Sequence, residues 1–143
     1  GDKEKAFFES DIVRYLFENK KQYPVYLSLT ATGCFQDLSA IEHNLYLTGL
    51  AYQYDTASVD NIALLRKNME QRYQLDYLTH SFYEEIAEEQ VRSISINYLI
   101  PMLKLYEHYQ LSGDLLRKDW IREKLILLSK GTEQEKTIKQ YVD

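Results

Sequence analysis

Residues 59–100 contain neither glycine nor proline, and this gap constrains the fold more than any other feature of the sequence. The whole chain of 143 residues has only five glycines and two prolines. A stretch this long without a breaker is typical of helices, because strands in globular proteins rarely exceed about ten residues. The sequence therefore predicts an all-α protein, folded as a single antiparallel bundle of four to six helices.

The N-terminal segments support this prediction with one exception. Residues 3–20 place apolar side chains on one helical face, which predicts the first helix. Residues 23–35 instead alternate apolar and polar side chains as a strand does, but a strand in an all-α chain has no partner. We therefore predict a helix that begins near Pro24 and ends around Gly33, with an extended segment as the alternative.

Two further helices are expected in the first half of the chain. Ser39 and Glu42 have the spacing of a capping box, in which each side chain satisfies a backbone donor, so a helix is predicted from here to Tyr54. The next helix is predicted to open at Ser58 or Asp60. Its apolar stripe consists of Val59, Ile62, Leu65, Met69, Tyr73 and Tyr77.

The C-terminal segments contain the clearest helix boundaries. Pro101 lies inside an apolar helical pattern, where its missing N–H predicts a kink near residues 96–99. Gly113 is predicted to end this helix, Asp114 to cap the next one, and Gly131 to terminate that one.

The chain is predicted to form one domain over residues 1–143. Residues 132–143 have few apolar side chains to bury, so we expect a short C-terminal helix that frays. A start at Gly1 rather than Met is interpreted as the remnant of a removed tag. On this interpretation a natural N-terminal segment, such as a secretion signal, a membrane anchor or another domain, has been cut away.

The composition excludes several classes of function. Lys and Arg number 17 against 22 Asp and Glu, and a net charge of −5 is unsuited to binding nucleic acid, which requires many phosphates to be neutralised. No apolar run approaches the roughly 18 residues that cross a bilayer, so no membrane span is expected. The single cysteine, Cys34, is unable to form an internal disulfide or a cysteine-based metal site, and it leaves the cellular compartment open.

The sequence contains no catalytic or cofactor motif. Helical di-metal enzymes use a glutamate three residues before a histidine. The three histidines, His43, His80 and His108, are preceded at that spacing by Ala40, Tyr77 and Leu105. The glycines are isolated, which excludes phosphate-binding loops, and the nucleophile elbow of hydrolases is missing as well. We therefore expect no cofactor, no metal and no enzymatic activity.

Basic side chains collect on the helix that Asp114 is predicted to cap. They are Arg117, Lys118, Arg122 and Lys124. We interpret them as a solvated helix face, and an acidic partner or an anionic lipid surface is the alternative.

Tyrosine is unusually common, with 13 copies against one Trp and five Phe. Its ring is apolar and its hydroxyl seeks water or a partner, which suits core edges, protein interfaces and ligand clefts. A core edged with tyrosines is the simplest interpretation. The candidate residues for an interaction surface or a pocket are Tyr73, Tyr77, Tyr98, Met102, Tyr106 and Tyr109.

The leading hypothesis is a non-enzymatic helical module that binds another protein, or a second copy of itself, through a tyrosine-rich or leucine-rich helix face. The alternative is a helical bundle that senses a small molecule, for which a cavity lined by Tyr73, Tyr98 and Met102 is expected. A helical enzyme is the third hypothesis, and it predicts a histidine facing a carboxylate in a polar cleft. A tetratricopeptide array is disfavoured, because the chain shows no repeat of about 34 residues.

Overall fold

The computed structural model describes Tyr15, Asn19 and residues 24–34, 41–75 and 96–143. Helices dominate these residues, but three of their segments form an antiparallel sheet. The prediction of an all-α bundle of four to six helices is therefore wrong. The protein is mostly helical and also contains a small sheet.

The chain divides into two compact units, residues 1–61 and residues 62–143. The predicted first helix over residues 3–20 lies outside the described residues, apart from Tyr15 and Asn19. The single domain predicted for the whole chain stays a prediction.

The N-terminal unit contains a three-stranded antiparallel sheet. Its strands are β1 (Val25–Ser28), β2 (Leu45–Leu47) and β3 (Ala51–Tyr54), arranged in the order β1–β3–β2. A 3-10 helix (Leu29–Cys34) follows β1, and another (Glu42–Asn44) precedes β2.

The strand-like alternation after Pro24 is explained by the pairing of β1 with β3. The helix predicted to begin here is wrong, because the missing partner strand lies further along the chain, in a segment that was itself predicted to be helical. Pro24 directly precedes β1, where its fixed φ and missing N–H disturb no pairing. The extended alternative holds as far as Ser28, and the 3-10 helix continues to Cys34.

The helix predicted from Ser39 to Tyr54 is replaced, over its described part, by the hairpin of β2 and β3. Leu45 and Tyr52 fit a helical stripe and also fit one face of two paired strands, so periodicity alone favoured the wrong element. Directly paired residues share a face of the sheet. One face is therefore apolar, and it consists of Val25, Leu27, Leu45, Leu47, Tyr52 and Tyr54. Leu47 and Tyr54 on this face are buried.

A tight turn joins β2 to β3. The N–H of Thr48 donates to the carbonyl oxygen of Ala51 at 3.0 Å, and the Thr48 hydroxyl donates to the same oxygen at 3.2 Å. Gly49 lies in this turn with a φ of 148°, a conformation that favours glycine. Gly49, which falls inside the predicted helix, therefore lies in the turn of a hairpin.

The described part of the C-terminal unit is helical. Its elements are α1 (Asn61–Arg66, beginning at the boundary between the units), a π-helix (Lys67–Arg72), a 3-10 helix (Ile96–Tyr98), α2 (Leu99–Ser112), α3 (Leu115–Ser129) and α4 (Glu135–Val142). α1 begins one residue after Asp60, which is one of its two predicted starts. The π-helix is rare in proteins and often accompanies functional sites.

Pro101 marks the start of a helix and not a kink inside one. It is the third residue of α2, and N–H groups in the first turn have no partner within the helix, so the missing N–H costs no hydrogen bond. The predicted kink near residues 96–99 is replaced by the 3-10 helix that leads into α2. Residues 76–95, which include the N-terminal part of the apolar helical pattern around Pro101, lie outside the described residues.

A single apolar core joins the helices of the C-terminal unit. Its buried members are Leu65, Met69, Leu75, Leu99, Met102, Leu105, Tyr106, Tyr109, Ile121, Leu125, Leu128, Ile138 and Val142. α2 and α3 are connected by two residues and pack as a hairpin, which supplies the largest part of this core. Gly113 ends α2 and Asp114 caps α3, as predicted.

α4 packs on this hairpin through Ile138 and Val142. The turn that leads into α4 is held by the side chains of Thr132 and Glu135. Glu135 accepts a hydrogen bond from the N–H of Gly131 at 2.8 Å, and Thr132 accepts one from the N–H of Gln134 at 3.1 Å.

Candidate functional site

Burial divides the candidate tyrosine surface into two parts. Met102, Tyr106 and Tyr109 are buried in the core, Tyr73 and Tyr98 are half-buried, and Tyr77 lies outside the described residues. The rings of Tyr73 and Tyr98 meet edge to face, with centroids 6.2 Å apart. Burial raises the pKa of Tyr98, and neighbouring Tyr73 raises it further. Tyr98 therefore keeps its proton at neutral pH.

The buried tyrosines are anchors of the core, because their hydroxyl groups bond to other elements. Tyr106 donates to the carbonyl oxygen of Val142 at 3.3 Å, which ties α2 to α4. Tyr109 donates to the carboxylate of Glu70, which ties α2 to the π-helix. The ammonium group of Lys118 lies 5.3 Å from the ring centroid of Tyr106. These contacts account for both hydroxyl groups within the protein.

Among the described residues of the C-terminal unit, exposed apolar side chains concentrate at the turn between α2 and α3. Leu111 is 89% exposed, Leu115 is 65% exposed and Leu116 is 86% exposed. We call these three residues the leucine tip. They fall within six residues of sequence on both sides of a helix turn, where polar side chains are the rule.

Sequence reasoning missed the leucine tip. The helical spacing of Leu116 with Trp120, Leu127 and Leu128 predicts instead that Leu116 lies on the apolar side of its helix. The available signal was the position of the leucines next to Gly113 and Asp114, since a residue beside a tight turn is seldom buried.

The turn that carries the leucine tip is closed by backbone hydrogen bonds. Gly113 adopts the left-handed conformation, with a φ of 74°. The N–H of Asp114 donates to the carbonyl oxygen of Tyr109 at 3.0 Å, which completes the C-terminal cap of α2. The carboxylate of Asp114 in turn accepts a hydrogen bond from the N–H of Arg117 at 3.2 Å, which caps α3.

Charged side chains brace the same turn. The Arg117 guanidinium lies 2.7 Å from the Asp114 carboxylate and 3.7 Å from that of Glu70. Glu70 also accepts hydrogen bonds from Arg66 at 3.1 Å and from Tyr109. The Glu70 side chain is only 18% exposed. Through Tyr109 of α2 and Arg117 of α3, this carboxylate of the π-helix contacts both helices of the hairpin.

Hydrogen bonds at this turn favour the charged state of Asp114. The side chain of Arg117 hydrogen-bonds to Asp114 and lowers the pKa of that carboxyl, and the hydrogen bond from the Arg117 N–H lowers it further. Asp114 is therefore ionised at neutral pH, and the leucine tip is presented on a braced turn.

The described residues show few other features that could bind a ligand or a membrane. They contain no group of three or more His, Cys, Asp or Glu side chains that is arranged to hold a metal ion. Among these residues, no helix has the length and apolar character needed to span a membrane. A surface depression of about 450 Å³ runs along α4, and charged and polar side chains such as Glu133, Lys136 and Gln140 line it.

The ring of His108 packs against Tyr109, with centroids 5.5 Å apart, and His43 lies 3.1 Å from the side-chain amide of Asn44.

No protein-family model, curated protein or solved structure matches this chain.

Proposed function

We propose that this protein acts by binding another protein and not by catalysis, and that the leucine tip is the binding surface. The observation that carries the proposal is the exposure of Leu111, Leu115 and Leu116 within six residues of sequence, at the turn of the α2–α3 hairpin. Three leucines exposed to water do not stabilise the single chain, whereas a protein contact buries them.

The size of the patch suits a protein contact. The three leucines expose roughly 400 Å² of apolar surface, which is the size of the largest and often functional patch on a typical monomer. Burial of this area in a contact removes apolar surface from water and so favours association. Association costs about 4–15 kcal/mol in lost freedom, and the leucines offset a part of that cost.

The bracing of the turn supports the proposal in a second way. Binding is weakened when a loop has to become ordered, and a pre-organised surface avoids that loss. Here Asp114 and Arg117 cap α3, while Glu70 links the π-helix to both α2 and α3. The leucines therefore lie on a turn that is held by hydrogen bonds and ion pairs.

The small-molecule alternative receives less support from the described residues. It expects a cavity beside Tyr73, Tyr98 and Met102, but Met102 is fully buried among the side chains of the core. The depression along α4 has a polar and charged lining, which differs from the mostly apolar lining of typical ligand pockets.

Site-specific photo-crosslinking tests the proposed function. The full chain carries a photoreactive amino acid at position 116, or at the exposed Lys136 as a control, and is expressed in the cells that produce it naturally. We expect one discrete covalent adduct from position 116, and mass spectrometry of that adduct identifies a protein bound at the leucine tip. An equal yield of adducts from both positions, or none from position 116, contradicts the proposal.

A further inference from the structure

We infer that the partner of the leucine tip is a second copy of this chain, bound by the same surface across a two-fold axis. The inference rests on the proposed function and names the occupant of that surface. In a two-fold dimer the same patch occurs on both sides, so it must complement itself in shape, in polarity and in charge.

The charges beside the leucine tip meet this requirement. Asp114 and Arg117 lie on the same turn and carry opposite charges. A two-fold rotation therefore allows Asp114 of one copy to face Arg117 of the other, and the reverse pair forms at the same time. The last turn of α2 adds no charge, because Gln110, Leu111 and Ser112 are neutral.

The balance of charge between Asp114 and Arg117 matters because the chain as a whole is acidic. At −5 the two copies repel each other at long range, so a contact between them requires a region where acidic charge is not in excess. The first turn of α3 provides Arg117 and Lys118 beside Asp114, Asp119 follows directly after Lys118, and the Glu70 carboxylate lies 3.7 Å from the Arg117 guanidinium and also pairs with Arg66. The tip is thus close to neutral on an acidic protein.

The area of the tip predicts a weak dimer. Two copies bury roughly 800 Å² through the leucines alone, while stable specific interfaces begin at about 1,200 Å². The neighbours Gln110, Ser112 and Arg117 are exposed as well and add to this area. We expect a dissociation constant of roughly tens of micromolar, which is typical of a reversible contact.

Analytical ultracentrifugation of the full chain from about 1 to 500 µM tests the inference. We expect the mean mass to rise from that of one chain towards that of two. The variant Leu116→Ser is expected to weaken the dimer at least about tenfold, because a central apolar contact is lost. Ile100→Ser is the matched control, since Ile100 is 49% exposed at the other end of α2. It is expected to dimerise as the wild type does.

Cysteine crosslinking distinguishes a two-fold contact from other self-association. The single natural cysteine is removed by Cys34→Ser, and Leu111→Cys, Leu115→Cys or Leu116→Cys is introduced singly. Added copper phenanthroline and dioxygen then oxidise two thiols to a disulfide. Near a two-fold axis at least one of these positions is expected to link to its own copy, and Ile100→Cys is not. Equal linkage at position 100 overturns the inference.

The two proposals fail separately. A wild-type chain that remains monomeric up to 500 µM overturns the second-copy inference whatever else is found. If photo-crosslinking from position 116 then captures one different protein in the native cells, the proposed function stands with another partner. If neither experiment detects a contact at the tip, both proposals are wrong.

Discussion

At the scale of single residues, the Glu70 carboxylate shows how one partly buried charge is accommodated. It accepts a hydrogen bond from Tyr109 and is paired with Arg66 and Arg117. A carboxylate with so little exposure is stabilised only if its oxygens have partners, because its hydration is lost. The tyrosine hydroxyl therefore contributes to stability although the ring is apolar.

The variant Tyr109→Phe tests this role. It removes the hydroxyl and keeps the buried ring, so we expect the free energy of unfolding to fall by about 1–2 kcal/mol in urea denaturation. Tyr141→Phe removes a hydroxyl that donates to Glu107 at 2.6 Å on the surface. This control is expected to change stability less. A Tyr109→Phe variant as stable as the wild type would show that the two arginines alone satisfy Glu70.

At the scale of elements, substitutions at Gly113 distinguish the effect of backbone strain on stability from the effect of steric crowding. A Cβ atom added at this residue meets no other atom within 4 Å, so a side chain fits there in space. Its φ of 74° is nevertheless unfavourable for alanine. We expect Gly113→Ala to lower the free energy of unfolding by about 1–2 kcal/mol and Gly113→Asn to lower it less, measured by thermal denaturation. Equal losses would argue against strain as the cause.

The cap of α3 predicts a pH dependence. The pKa of Asp114 is lower in the folded state, mainly through the side-chain hydrogen bond from Arg117. The carboxylate therefore stabilises the protein above the pKa of the unfolded chain, near about 4, and this contribution is lost as the pH falls through the lower folded value.

The variant Asp114→Asn isolates this effect, since the amide oxygen still accepts the capping hydrogen bond but carries no charge. We expect the loss of stability between pH 6 and pH 2.5 in urea denaturation to be smaller than in the wild type. Asp119→Asn, on the exposed side of the same helix, is the control. An Asp114→Asn variant that loses as much stability as the wild type over this range would contradict the assignment.

At the scale of the whole molecule, the leucine tip lies outside the core that stabilises the fold. Leu105 is fully buried in that core, and Leu105→Ala is expected to cost about 2–5 kcal/mol because a cavity remains. Leu116→Ser removes an exposed side chain, so its effect on unfolding of the monomer is expected to stay within about 0.5 kcal/mol. Comparable losses in the two variants, measured by chemical denaturation at low concentration, would place Leu116 in the core.

The sequence alone determined the elements whose signals are local. Gly113 and Asp114 fix the boundary between α2 and α3 because the left-handed conformation and the capping carboxylate act within one turn of backbone. The predominance of helix likewise follows from the scarcity of breakers.

Only the tertiary structure decided the elements that depend on distant partners. Residues 25–28 form a strand because β3 pairs with them. The two segments are distant in sequence, so the local pattern around residues 25–28 does not reveal the partner. The fate of apolar side chains was decided in the same way. Tyr109 and Leu116 both fall at apolar helical spacing in the sequence, but packing buries the first and leaves the second exposed, since burial depends on which helix covers a face. The candidate binding surface follows from that difference.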